Sequence, residues 1–127
     1  METKAQSLEK VLDNLKAVGG IELSAIVSRQ GLLMVSKDSS GNHSNEAFAA
    51  LTATLYMSAE STVLRLKEQK PKYIIVQTTE EKHLITYAAG NNALIVVLVG
   101  KDNLINAIKK LKAPGEKNNL LTEGMFV

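Results

Sequence analysis

The chain has 127 residues, 45% of them hydrophobic and 22% charged, which fits a single domain with one core. Fifteen Lys and Arg stand against thirteen Asp and Glu, for a formal net charge of +2, and 4% aromatics without Trp leave few stacking platforms, so no nucleic-acid partner is expected. The absence of Cys excludes disulfides, thiolate catalysis, thiolate zinc sites and iron–sulfur ligation; with no apolar run of membrane length and no signal-peptide core in METKAQSLEK, the expectation is a soluble cytoplasmic protein without membrane insertion.

In chain order, a first helix is predicted from about Lys4 to Val18. Leu8, Val11, Leu12, Leu15 and Val18 recur at three- and four-residue spacing and share one face. Thr3 and Gln6 fit a capping box, and Gly19-Gly20 ends the helix. Two strands follow, from Ile21 to Ser28 and from Leu32 to Ser36, joined by the hairpin-length turn Arg29-Gln30-Gly31. The polar stretch Lys37 to Ser44 reads as a loop.

A second, longer helix is predicted from about Asn45 to Lys67, with Ser44 as N-cap and Glu46 in the first turn. Pro71 bounds the next strand, Tyr73 to Thr78. His83 to Ala89 and Ala93 to Val99 complete an antiparallel meander with short turns. The run ALIVVLV is apolar without alternation, which implies burial on both faces and a central place in the sheet. Asp102 is expected to cap a third helix from about Asn103 to Lys112, stopped by Ala113-Pro114-Gly115. The order α-β-β-α-β-β-β-α gives an α+β domain over residues 1–127. Its core is expected over about 4–112, with a tail over 113–127 in which Leu120, Leu121, Met125 and Phe126 are available to dock.

The second helix is the informative element. It carries no charge from Ala47 through Ala59. Projected at 100° per residue, Phe48, Leu51, Thr52, Leu55, Ala59, Thr62, Val63 and Leu66 fall on one side, bulky enough to sit on a sheet. Ala50, Ala53, Met57 and Leu64 lie opposite, at the spacing of a helix-pair seam. Alanine alone needs only helix propensity to explain it, but Met57 and Leu64 do not follow from propensity. The second stripe is therefore expected to meet another chain, as a symmetric homodimer. The strand Tyr73 to Thr78 is strongly β-prone and uncharged. It reads either as an unprotected edge strand open to pairing or as an interior strand, and periodicity does not decide between the two.

Motifs for chemistry are missing. There is no P-loop, no dinucleotide-binding Gly-x-Gly-x-x-Gly and no Gly-x-Ser-x-Gly elbow. His43 and His83 lack further ligands at metal spacing and read as ordinary polar residues. Glu80-Glu81 is a solvated turn pair, and Lys109, Lys110 and Lys112 complement a helix C-terminus. No catalytic residue, metal or cofactor is expected.

The pattern resembles the roadblock/dynein light-chain family from about Leu8 to Lys112. The carriers are Leu8, Leu12 and Leu15, Gly20-Ile21, Ala25-Ile26-Val27 and the turn Gln30-Gly31-Leu32. They continue through Glu46-Ala47-Phe48-Ala49-Ala50-Leu51, Ile74-Ile75-Val76, His83 to Tyr87, Leu94 to Leu98, and Leu104-Ile105. The resemblance implies a profilin-like five-stranded antiparallel sheet, with the first and third helices on one face and the second on the other. It also implies a homodimer through the second helix and third strand, forming one ten-stranded sheet. On this chain that interface would use Ala50, Ala53, Met57, Leu64, Tyr73, Ile75 and Gln77. The family it resembles is non-enzymatic, and its stand-alone prokaryotic members regulate Ras-like small GTPases. The implied function is a homodimeric scaffold that binds and regulates such a GTPase. The alternative is a structural adaptor subunit of a larger motor or signalling complex, and a small-ligand sensor ranks third. Direct stabilisation of GTP hydrolysis would need a projecting cation. Arg29 and Arg65 are the only arginines, and Arg29, in the first hairpin turn, is placed to reach outward. An indirect ordering of the partner's own groups is the favoured mechanism.

Overall fold

The first helix starts at its capping box: Thr3 Oγ1 accepts from the Gln6 N–H at 3.1 Å, and Gln6 Oε1 accepts from the Thr3 N–H at 2.9 Å. The structure, a computed structural model, describes residues 3–38, 46–66 and 69–117. Helix α1 (Lys4–Leu15) runs into a 3₁₀ turn, Lys16–Val18, then strands β1 (Ile21–Ser28) and β2 (Leu33–Asp38). Helix α2 (Glu46–Arg65) precedes β3 (Tyr73–Gln77), β4 (Lys82–Ala89) and β5 (Ala93–Gly100). A second 3₁₀ turn, Lys101–Asn103, leads into α3 (Leu104–Lys117). The expected cap at Ser44, the residue His43 and the segment 118–127 lie outside the described residues.

The five strands form one antiparallel sheet in the order β2-β1-β5-β4-β3. The last strand in sequence is thus central, as its unbroken apolar run requires, with Ala93 to Val97 buried on both faces. On one face, α1 and α3 pack Leu8, Leu12, Leu15, Ala107 and Leu111 against Ile26, Ile85, Val97 and Val99. On the other, α2 packs Ala49, Ala53 and Tyr56 against Ala25, Val27, Leu94 and Val96.

Gly20 sits at φ +69°, where a Cβ would run into the Asn103 side chain, so glycine lets the entry to β1 pass under the start of α3. Two sequence expectations change at this end of the chain. Asp102 lies inside the 3₁₀ turn, whose N-cap is Gly100 and makes no side-chain cap bond. Helix α3 also continues through Pro114 to Lys117, rather than stopping before it. Proline there removes the N–H that would bond Lys110 O, and a proline ring within a helix crowds the carbonyl four residues back, so the last turn of α3 is carried at a cost.

Candidate self-association and docking surface

The inner face of α2 combines small side chains with one large one, Tyr56. Ala49, Thr52, Ala53 and Tyr56 are its buried residues, facing a patch that includes Ala25 and Val27. This reverses part of the expected orientation. Ala53, assigned by spacing to the outward seam, is only 3% exposed and belongs to the core. Leu51 and Leu55, assigned to the sheet, are exposed, Leu51 to 71%. Bulk was the wrong guide: two alanines, a threonine and one tyrosine are turned in, and the large leucines are turned out. Ala50, Met57 and Leu64 are on the exposed side, as their stripe requires.

The outward surface of α2 has two apolar flanks. Projected at about 100° per residue, Leu51 and Leu55 form one, continued by Leu66 in the turn just past the helix, and Ala50, Met57 and Leu64 form the other. The second flank borders the β1–β2 turn. Gly31, at φ +93°, comes so close to the helix that a Cβ on it would lie 3.1 Å from Ala50 Cα. The first flank faces away from that turn.

Strand β3 lies at the sheet edge, the alternative that the periodicity left open. Its outer row of backbone donors and acceptors has no strand beside it among the described residues. Its side chains divide between the faces. Tyr73 packs with the α1–α3 core and stacks on Tyr87 at 6.2 Å, while Ile74 packs with the α2 core. By alternation Ile75 and Gln77 follow Tyr73, and Val76 follows Ile74. Of the strand residues assigned to the interface, Tyr73, Ile75 and Gln77 therefore point to the sheet face opposite α2. Ile74 and Val76 share the α2 face, and Val76 is exposed.

Arg29 does not reach outward. Its guanidinium folds back over α2 as a fork on Glu60, with Nη1 to Oε1 at 3.3 Å and Nη2 to Oε2 at 3.2 Å. It also lies 5.4 Å from the centre of the Tyr56 ring. The two charged side chains are 20% and 15% exposed, and Arg29 Nε is buried without a protein acceptor. The Tyr56 hydroxyl donates to Pro71 O at 2.6 Å. Burial pushes its phenol above the ordinary value of 10.0; Arg29 pulls the other way, and Glu60 adds to the rise. The spacing of Arg29 and Glu60 gave no sign of this pair.

Among the described residues no group of three or more His, Cys, Asp or Glu is placed to hold a metal ion, and no helix is long and apolar enough to cross a membrane. His83 is buried on β4 with Nδ1 unpartnered. The surface offers apolar contact and an open strand edge.

An antiparallel sheet in this strand order, with two helices on one face and one on the other, defines a profilin-like α+β fold. The structure of Schizosaccharomyces pombe profilin superposes with a TM-score of 0.63 at 17% identity, over 85% of this chain and 92% of that one. The Roadblock/LC7 domain matches residues 7–99, and the chain belongs to that family. Its fold is similar to that of Myxococcus xanthus MglB, with a TM-score of 0.86 at 17% identity over 98% of this chain and 94% of that one. It is also similar to the gliding protein MglB of Thermus thermophilus, at 0.79 and 18% identity over 98% and 95% of the two chains. No curated protein sequence matches the chain.

Proposed function

We propose that this protein is a homodimeric, non-enzymatic scaffold that binds and regulates a Ras-like small GTPase. One observation carries the reading: α2 turns Leu51 and Leu55 outward on the sheet face that Val76 shares, Leu66 is exposed just past its end, and β3 lies open at the edge of the same sheet. A monomer would leave both the leucines and the strand edge in water, and a two-fold partner covers both at once. In this dimer the β3 backbones pair, and the leucine flank meets its symmetry copy. Ala50, Met57 and Leu64, on the other flank, remain available to a second protein, and there we place the GTPase. Membership in the Roadblock/LC7 family supports self-association, and the fold neighbours include an MglB with a tetrameric arrangement.

Arg29 would not be the cation donated into the partner's site, because both terminal nitrogens of its fork are engaged by Glu60. The scaffold would act by holding the partner's own groups in one arrangement. The test is a titration of the purified chain with the Ras-like GTPases of its own genome, each loaded with GDP and with a non-hydrolysable GTP analogue. Binding that favours one nucleotide state is expected. No binding in either state refutes the GTPase role and leaves the structural adaptor.

A further inference from the structure

The proposed interface has two parts, α2 and β3, and they function together only if their relative position is fixed. Covalent connection does not achieve this. Arg65 and Tyr73 are separated by seven residues, 66–72, a link that limits distance but not orientation. Three hydrogen bonds and one ion pair supply what the link lacks. The approach to β3 offers two successive carbonyls. Pro71 O accepts from the Tyr56 hydroxyl on α2 at 2.6 Å, and Lys72 O accepts from the Ala88 N–H on β4 at 2.9 Å. Proline at 71 brings no N–H that would need a partner of its own. Tyr56 in turn is held from the far side by the Arg29 guanidinium over its ring and by the Arg29 fork on Glu60, one helical turn along α2. Arg29 is itself anchored through its backbone N–H, which donates to Asn92 O in the β4–β5 turn at 3.2 Å.

We propose that Tyr56, clamped by Arg29 and Glu60, is a positioning residue that sets the open edge of β3 against α2 and thereby controls self-association. A core tyrosine needs neither a part-buried ion pair beside its ring nor a backbone acceptor at the start of an edge strand merely to fill space. Phenylalanine would fill the same volume. This chain spends a fork, a cation–π contact and a phenolic hydrogen bond where Tyr56 of α2 meets the entry to β3. The inference rests on the homodimer reading for its consequence, but not for its geometry.

The test is Tyr56→Phe in the full chain, which keeps the ring and its contact with Arg29 and removes only the hydroxyl. Two readouts are taken together: amide hydrogen exchange by mass spectrometry over residues 70–77 against β1 and β5, and the self-association constant by sedimentation. The expected result is exchange over 70–77 faster by about tenfold and self-association weaker by about tenfold, with protection of β1 and β5 unchanged. Exchange and association both within about twofold of the parent overturn the proposal. Faster exchange in a chain that is monomeric even as the parent supports the positioning role and sinks the homodimer instead. Should Tyr56→Phe fail to fold, the paired substitution Arg29→Gln with Glu60→Gln, which removes the ion pair and keeps approximate shape, is read the same way.

Discussion

Replacing Leu51 by Ala probes the leucine flank with little risk to the fold. The side chain is 71% exposed in the protomer, so its removal leaves no cavity, and alanine is the better helix former. Protomer stability is expected to change by less than about 0.5 kcal/mol. In the dimer, three carbons per copy are lost from the contact. At about 0.8 kcal/mol per buried methylene, scaled by the fraction that the protomer leaves exposed, this is about 1.7 kcal/mol per copy. A two-fold contact contains both copies of Leu51, so the dimer loses about 3.4 kcal/mol, a weakening of roughly 300-fold. Sedimentation equilibrium or mass photometry across a dilution series reads this directly, with urea unfolding as the control for protomer stability. A dissociation constant within about threefold of the parent would remove Leu51 from the interface and refute the choice of flank.

Further outcomes follow from the same geometry. Gly31→Ala places a Cβ at φ +93° and 3.1 Å from the backbone of α2, so urea unfolding should show a loss of about 2–4 kcal/mol, whereas a loss below about 0.5 would mean the turn relaxes freely. Glu60→Ala leaves the Arg29 fork unpaired in a site still about a fifth open to solvent; we expect a loss of about 1–2 kcal/mol, reduced by that exposure, and a double-mutant cycle with Arg29→Met should recover most of it as coupling. The Tyr56 phenol is raised above its unfolded value of 10.0, so the folded state holds that proton longer than the unfolded chain does. Its contribution is intact below pH 10.0 and declines as the pH rises through the folded value, which the difference in alkaline stability between parent and Tyr56→Phe should show. Met57→Glu, on the other flank, should leave the dimer intact and weaken GTPase capture; loss of the dimer instead would exchange the roles of the two flanks.

Much of the fold was legible because its signals are local. The Thr3–Gln6 box, the turns and the doubly buried run of β5 each occupy a few adjacent residues, and each is where the pattern put it. The orientation of α2 was legible only in part. Periodicity separates the two sides of a helix, but side-chain size misassigns them when the sheet beneath is itself lined with small residues, as at Ala25. Hence Ala53 went to the outer seam and Leu51 to the core. Edge or centre for β3 was undecidable, because strand order depends on which strands pair at long range, and Tyr73–Gln77 reads alike in either place. The Arg29–Glu60 pair joins residues 31 apart in sequence, with no motif linking them, so a turn arginine that looked free to project is in fact bound. Pro114 stops a helix by propensity, yet α3 runs three residues past it.

The central claim is that α2 and β3 of one molecule are completed by another copy of the same chain. Sedimentation equilibrium of the full chain, from about 1 to 100 micromolar, tests it most directly. A species of twice the chain mass, dissociating only at the dilute end, is the predicted result. A single species of one chain mass across the whole range would contradict the account.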